Sequence, residues 1–215
     1  PRSRCPTFFS SSDVWGHRTR TGDAETMLLA DAHTHFFSQG FFRALGRDSA
    51  IAGDGADVVP ARLGWQPPAD DEALARRWVS ELDRHGVARA MLIASVPGDE
   101  ASVAAARRLH PRRFVGAFMV NPAEAGAIDR VRRAFTELDL STACLFPAMH
   151  HVPVDAPESH AVFHEAARLG RAVFVHCGVL SIGVRKKLGL PSLFDLRLGD
   201  PLAVAAVAVR YPSVP

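Results

Sequence analysis

The sequence predicts an α/β protein built on a parallel sheet with helical crossovers, and three observations predict it. From Met27 onward, short runs rich in Val, Ile, Leu and Phe alternate with amphipathic segments. Within those segments the apolar residues recur at three- and four-residue intervals, the period of a half-buried helix. Gly or Pro stands at the boundary of several of them, where a helix must stop.

In order along the chain, the first strand spans residues 28–35, and a long Gly- and Pro-containing insertion follows over 36–70. The insertion reads as a loop with one short helix, and a loop in this position often covers a site. A helix over 71–85 places Leu74, Trp78 and Leu82 on one face and ends at Gly86. Residues 87–96 form the second strand. The helix over 99–110 is halted by Pro111, and 113–120 is the third strand. Asn121 and Pro122 read as the cap and first turn of a helix that buries Ile128, Val131, Phe135 and Leu138. The fourth strand is 140–146. A helix over 158–169 ends at Gly170, the fifth strand is 171–177, and Asp200-Pro201 caps a last helix through Val209.

The whole chain has 215 residues, 47% hydrophobic and 22% charged, enough apolar material for a sizeable core. Lys and Arg number 25 against 23 Asp and Glu, scattered and nearly balanced, which argues against a nucleic-acid partner. The most apolar stretch, 202–209, is too short to cross a bilayer, so no membrane association is expected. Cys5, Cys144 and Cys177 share no metal or redox spacing, and a reducing cytoplasm is the expected compartment. Met27 reads as the natural start, with residues 1–26 a disordered or non-native extension; a genuine N-terminal arm is the rival reading. Residues 27–215 then hold five βα units, whereas an eight-unit barrel typically takes about 250 residues.

His33 and His35, in DAHTHF, carry the strongest chemical signal. Side chains at i and i+2 of a strand share a face, so two imidazoles at a strand's C-terminal end can share one metal ion. A hydrogen-bonded pair of ordinary histidines is the alternative. His176 closes the strand AVFVH in the same position relative to its sheet, and parallel α/β folds build their sites at that edge. Neutral imidazoles suit zinc first, with manganese, iron or cobalt also acceptable.

DAHTHF, VHCG and the stretch KLGLPSLFDLRLGDPLAVAAVAVRYPSVP together resemble the metal-dependent amidohydrolase superfamily. The likeness is greatest to the branch of aminocarboxymuconate semialdehyde decarboxylase. The resemblance implies a (β/α)8 TIM-type barrel, truncated here after its fifth βα unit. It gives His33, His35 and His176 the role of ligands to one divalent metal. It also implies hydrolysis of an amide, lactone or ester, or decarboxylation of an unsaturated or aromatic acid, on a small-molecule substrate. The family's strand 6 histidine and its aspartate after strand 8 fall beyond Pro215, so no catalytic acid or base is assigned. An inactive truncated relative or a non-catalytic binding protein is the competing reading. A five-unit barrel leaves both sheet edges open, which predicts pairing with another chain, including a second copy. Where binuclear relatives carry a carboxylated lysine this chain has Cys144, which favours a mononuclear centre and an inert, buried thiol.

The remaining polar residues are weaker candidates. Asp31 shares the face of His33 and can orient a neighbouring ligand or bond to backbone. His150 and His151 follow the fourth strand and can line a pocket, with a solvated loop pair as the default reading, and His160 and His164 share a helix face at a metal-compatible spacing but lack the HExxH glutamate and read as surface residues. His85 and His110 stand at helix C-termini, where a cation suits the dipole. Arg185, Lys186 and Lys187 can attract an anionic substrate, with a solvated loop as the default reading, and Arg62 and Trp65 of the insertion are candidate substrate contacts.

Overall fold

Each apolar run predicted as a strand forms one: β1 (Leu29–Phe36), β2 (Val87–Ala94), β3 (Phe114–Val120), β4 (Thr142–Leu145) and β5 (Ala172–Val175). The computed structural model describes residues 28–178 and 182–215; the extension read at 1–26 lies outside the described residues. All neighbouring pairs are parallel, and the spatial order β1-β2-β3-β4-β5 repeats the chain order. That order results when every crossover passes over the same face and adds its strand on the same side, as in the wall of a barrel. The structure is therefore the predicted α/β half-barrel of TIM type.

The crossovers are α3 (Asp71–Arg84), α4 (Glu100–Leu109), α5 (Ala127–Thr136) and α7 (Pro157–Leu169), numbered after α1 (Gln39–Asp48) and α2 (Gly55–Leu63) of the insertion and α6 (Pro147–His150). Two further helices, α8 (Gly183–Lys187) and α9 (Pro201–Arg210), follow β5. His85 and His110 cap the C-termini of α3 and α4 as their positions predict.

Strand parity sorts the side chains into two layers. Ala90, Leu92 and Ala94 of β2, Phe118 and Val120 of β3 and Leu145 of β4 face the crossover helices and join Leu82, Val103, Val131, Phe135 and Val162 in the main core. Phe118 and Phe135 meet edge to face at 5.4 Å. The opposite parity, Met91, Ile93, Ala117, Met119, Cys144 and Phe146, forms the inner layer of the wall.

Two expectations are corrected. The Asn121-Pro122 helix begins only at Ala127, because Asn121 Oδ1 accepts from the backbone of Ala123 in a local turn and Gly126, at φ 73°, starts the helix instead. The apolar period of Ile128, Val131 and Phe135 belongs to that later start. The insertion holds two helices rather than one. Ser38 and Asp54 cap α1 and α2 with their side chains, and Phe41, Phe42, Leu45, Val59 and Leu63 form a separate cluster with Val184 of α8. Their apolar faces are legible only once the two helices are folded onto each other.

The helices cross where two glycines meet: a Cβ on Gly55 would stand 2.7 Å from the Phe42 carbonyl oxygen and 2.9 Å from Arg43 Cα. Both obstacles are backbone and cannot rotate away. Gly55→Ala is therefore expected to destabilise the insertion by about 1–3 kcal/mol, read as a lower urea midpoint by tryptophan fluorescence. An unchanged midpoint would exclude this crossing.

Candidate metal centre

Thr34 and Phe36 of β1 are buried on the crossover side, so alternation turns His33 and His35 to the inner face. Their Nε2 atoms lie 3.2 Å apart. Ser95, just beyond β2, organises the pair. Its hydroxyl donates to the carbonyl of Ile93 at 3.0 Å, so at 2.9 Å it accepts from Nδ1–H of His35. His35 is thereby held as the tautomer whose Nε2 lone pair faces His33. Burial, followed by the proximity of His33 and His176, pushes His35 down to about 4, so it is a neutral imidazole at neutral pH.

His176 follows β5, anchored by its backbone N–H to the carbonyl of Leu145 at 2.8 Å. Its ring stacks on Phe146 and lies 5.4 Å, centroid to centroid, from His33. Burial, then His33, lowers its pKa as well. Among the described residues Nδ1 of His176 is buried without a hydrogen-bond partner, an orphan that protein interiors rarely tolerate.

The donor set fits a divalent ion in part. Two nitrogens on a tetrahedral ion at about 2.0–2.1 Å would be separated by roughly 3.3 Å, close to the 3.2 Å of the histidine pair. His35 is neutral at neutral pH, and among the described residues His176 adds a ring nitrogen without a protein partner. Among the described residues, however, no group of three or more His, Cys, Asp or Glu side chains is arranged to hold a metal. Two of the predicted ligands thus meet, and the third stands beside them.

Asp31 Oδ1 accepts from the backbone N–H of His33 at 2.9 Å, so it steadies the strand at His33 rather than its imidazole. Cys144 is fully buried in the inner layer and burial pushes its thiol far up, which removes it as a thiolate donor. Lys186 and Lys187 are exposed, with the Lys187 ammonium 5.9 Å from the Trp65 ring centroid, whereas Arg185 lines the cavity described next. Arg62 is exposed and outside that cavity, while Trp65 lines a smaller hollow beside His35 and Phe37.

The histidines open onto a cavity of about 800 Å³ at the C-terminal edge of the sheet, walled by Phe37, Phe41, Met119, Phe146 and Phe194. Ser95 lies outside the sequence reading, because it carries no signal beyond its position at a strand end. His150 and His151 both line the cavity, the alternative to a solvated pair; among the described residues His150 Nδ1 is buried without a partner, and burial lowers His150 to about 4. Its position five residues after the apolar β4, at a strand's C-terminal edge, is the available clue.

Residues 30–215 match the family described as Amidohydrolase. The chain belongs to the amidohydrolase family. No curated protein matches it significantly. Among solved structures, the 5-carboxyvanillate decarboxylase of Sphingomonas paucimobilis superposes with a TM-score of 0.57 at 18% identity, over 88% of this chain and 66% of that one. The enzyme of the same name from Novosphingobium aromaticivorans, complexed with manganese and 4-hydroxy-3-methoxy-5-nitrobenzoic acid, gives 0.57 at 16% identity, over 87% and 63%. An uncharacterized TIM-barrel protein of Bordetella bronchiseptica gives 0.54 at 15%, over 87% and 65%. These likenesses establish the fold, and this amidohydrolase chain spans about two thirds of the length of each. Among the described residues no helix is long and apolar enough to cross a membrane.

Proposed function

We propose that this amidohydrolase chain carries the metal-binding part of a decarboxylase or hydrolase that acts on a small organic molecule through one divalent ion held by His33, His35 and His176. The observation that supports it most is the 3.2 Å approach of two Nε2 atoms, with Ser95 fixing the tautomer of one. When bound, the ion supplies a Lewis acid for a carbonyl or carboxylate oxygen of the substrate. The protein's own residues orient and enclose. Ser95 holds the ring of His35, Phe146 holds that of His176 by stacking, and the aromatic wall keeps water from the reacting atoms. His150 is a neutral imidazole on that wall whose Nδ1 has no partner among the described residues, suited to hold or pass a proton.

Decarboxylation of an unsaturated or aromatic acid is the first reaction to assay, supported by the two decarboxylase structures and by the flat apolar walls of the cavity. Hydrolysis of an ester, lactone or amide is the second. Manganese stands beside zinc as the ion to supply, since one of those structures contains it. The lack of a third converging donor among the described residues favours a second reading, a binding protein that keeps the cavity without the chemistry.

Elemental analysis of the dialysed chain after incubation with zinc or manganese separates the two. About one ion per chain is expected; none with either metal overturns the enzyme reading. Ser95→Ala removes the partner of His35 Nδ1 and is expected to weaken metal affinity by about 10- to 100-fold without altering the far-ultraviolet circular dichroism. Undiminished affinity would mean that Ser95 does not orient the ligand.

A further inference from the structure

Arg185 is the one Lys or Arg among the described residues lining the cavity, whose walls are otherwise apolar apart from histidines, Ser95 and Asp48. Its guanidinium is gripped on two sides: Nε donates to the Pro191 carbonyl at 3.2 Å and Nη1 to Asp48 of α1 at 2.9 Å. Among the described residues Nη2 has no protein partner, and a planar guanidinium held at Nε and Nη1 presents its remaining N–H groups in a fixed direction. The Asp48 carboxylate is more than half exposed, and such ion pairs add little stability. Fold stability therefore does not account for a permanent cation on this wall. Among the described residues Arg185 makes no hydrogen bond to any of the three histidines, so it is free to act on a different part of a ligand.

We propose that Arg185 is the specificity-determining residue of the cavity, selecting an organic ligand that carries a carboxylate away from the histidine cluster. The inference rests on the cavity being the binding site and does not require the metal. A carboxylate matches the guanidinium fork, and the Phe41 and Phe194 walls take the apolar body that a bare inorganic anion lacks.

The test is binding of 3-phenylpropionate, 3-phenylpropan-1-ol and inorganic phosphate to the 215-residue chain in excess chelator, by calorimetry or ligand-observed NMR. Because chelator is present, failure of metal binding leaves the result intact. The acid is expected to bind at least about tenfold tighter than the alcohol, and phosphate weaker than the acid. Arg185→Gln is expected to abolish the preference while alcohol binding stays unchanged, which also reports an intact cavity. Arg185→Lys keeps the charge but not the fork and is expected to retain part of the preference. Acid and alcohol binding alike or not at all to the wild type, phosphate binding as tightly as the acid, or the preference surviving in Arg185→Gln would each overturn the proposal.

Discussion

Replacing His35 by alanine is expected to abolish metal retention while leaving the far-ultraviolet circular dichroism unchanged. His35 contributes the nitrogen whose lone pair Ser95 aims at His33, so its loss removes both a donor and the partner that spaces the pair at 3.2 Å. Loss of an outer partner alone lowers metal affinity by about 10- to 100-fold, and loss of the ligand is expected to exceed that. The fold survives because the neighbouring Phe36, on the other parity of β1, is the one embedded in the main core. His33→Ala is expected to match it. Metal stoichiometry equal to wild type in either variant would refute the assignment of the pair.

Stability is expected to fall as pH rises from about 4 to about 6, through Asp99. Its carboxyl is half-buried between the starts of two helices, where Ser38 donates to it at 2.5 Å and Ser102 at 2.9 Å. Burial raises its pKa to about 6, further helped by Asp71 and Glu100, against the lowering effect of the two serines. A carboxyl whose folded pKa lies above its unfolded value holds its proton more tightly in the native state. Its contribution is fully present below the unfolded pKa and is lost as pH passes the folded one. With about 1.4 kcal/mol for each tenfold change in proton affinity, and allowing for partial exposure, the ionised group costs about 1–3 kcal/mol at neutral pH. Asp99→Asn keeps the shape, accepts from one serine and donates to the other. Urea unfolding should show the variant gaining on wild type across this pH window. Parallel curves for the two proteins would exclude Asp99 as the source.

The same carboxylate shows where local reading ends. As the residue before α4, Asp99 belongs to a helix start, yet it makes no side-chain cap to that helix and turns instead to Ser38, the N-cap of α1. A carboxyl oxygen also occupies the space beside Gly40 that a Cβ would need. Nothing in the spacing of residues 38 and 99 announces this bond. The three histidines were legible because strand parity and position at a strand's end are local properties that survive any arrangement of the crossovers. Ser95 was not, since its role exists only when β2 lies beside β1.

By itself the sequence determined the α/β class, the five strands, the crossover helices, and which histidines share the inner face. These follow from periods of two and 3.6 residues, which sort side chains before any tertiary contact forms. The tertiary structure alone decided that the insertion folds as two crossed helices, that His150 faces a cavity rather than water, and that Arg185, rather than Lys186 or Lys187, reaches it. Each of those outcomes depends on contacts between residues far apart in the chain, as with Arg185 and Asp48, 137 positions apart. Such pairs leave no periodic trace, because the chain between them can vary in path without changing the local pattern at either end.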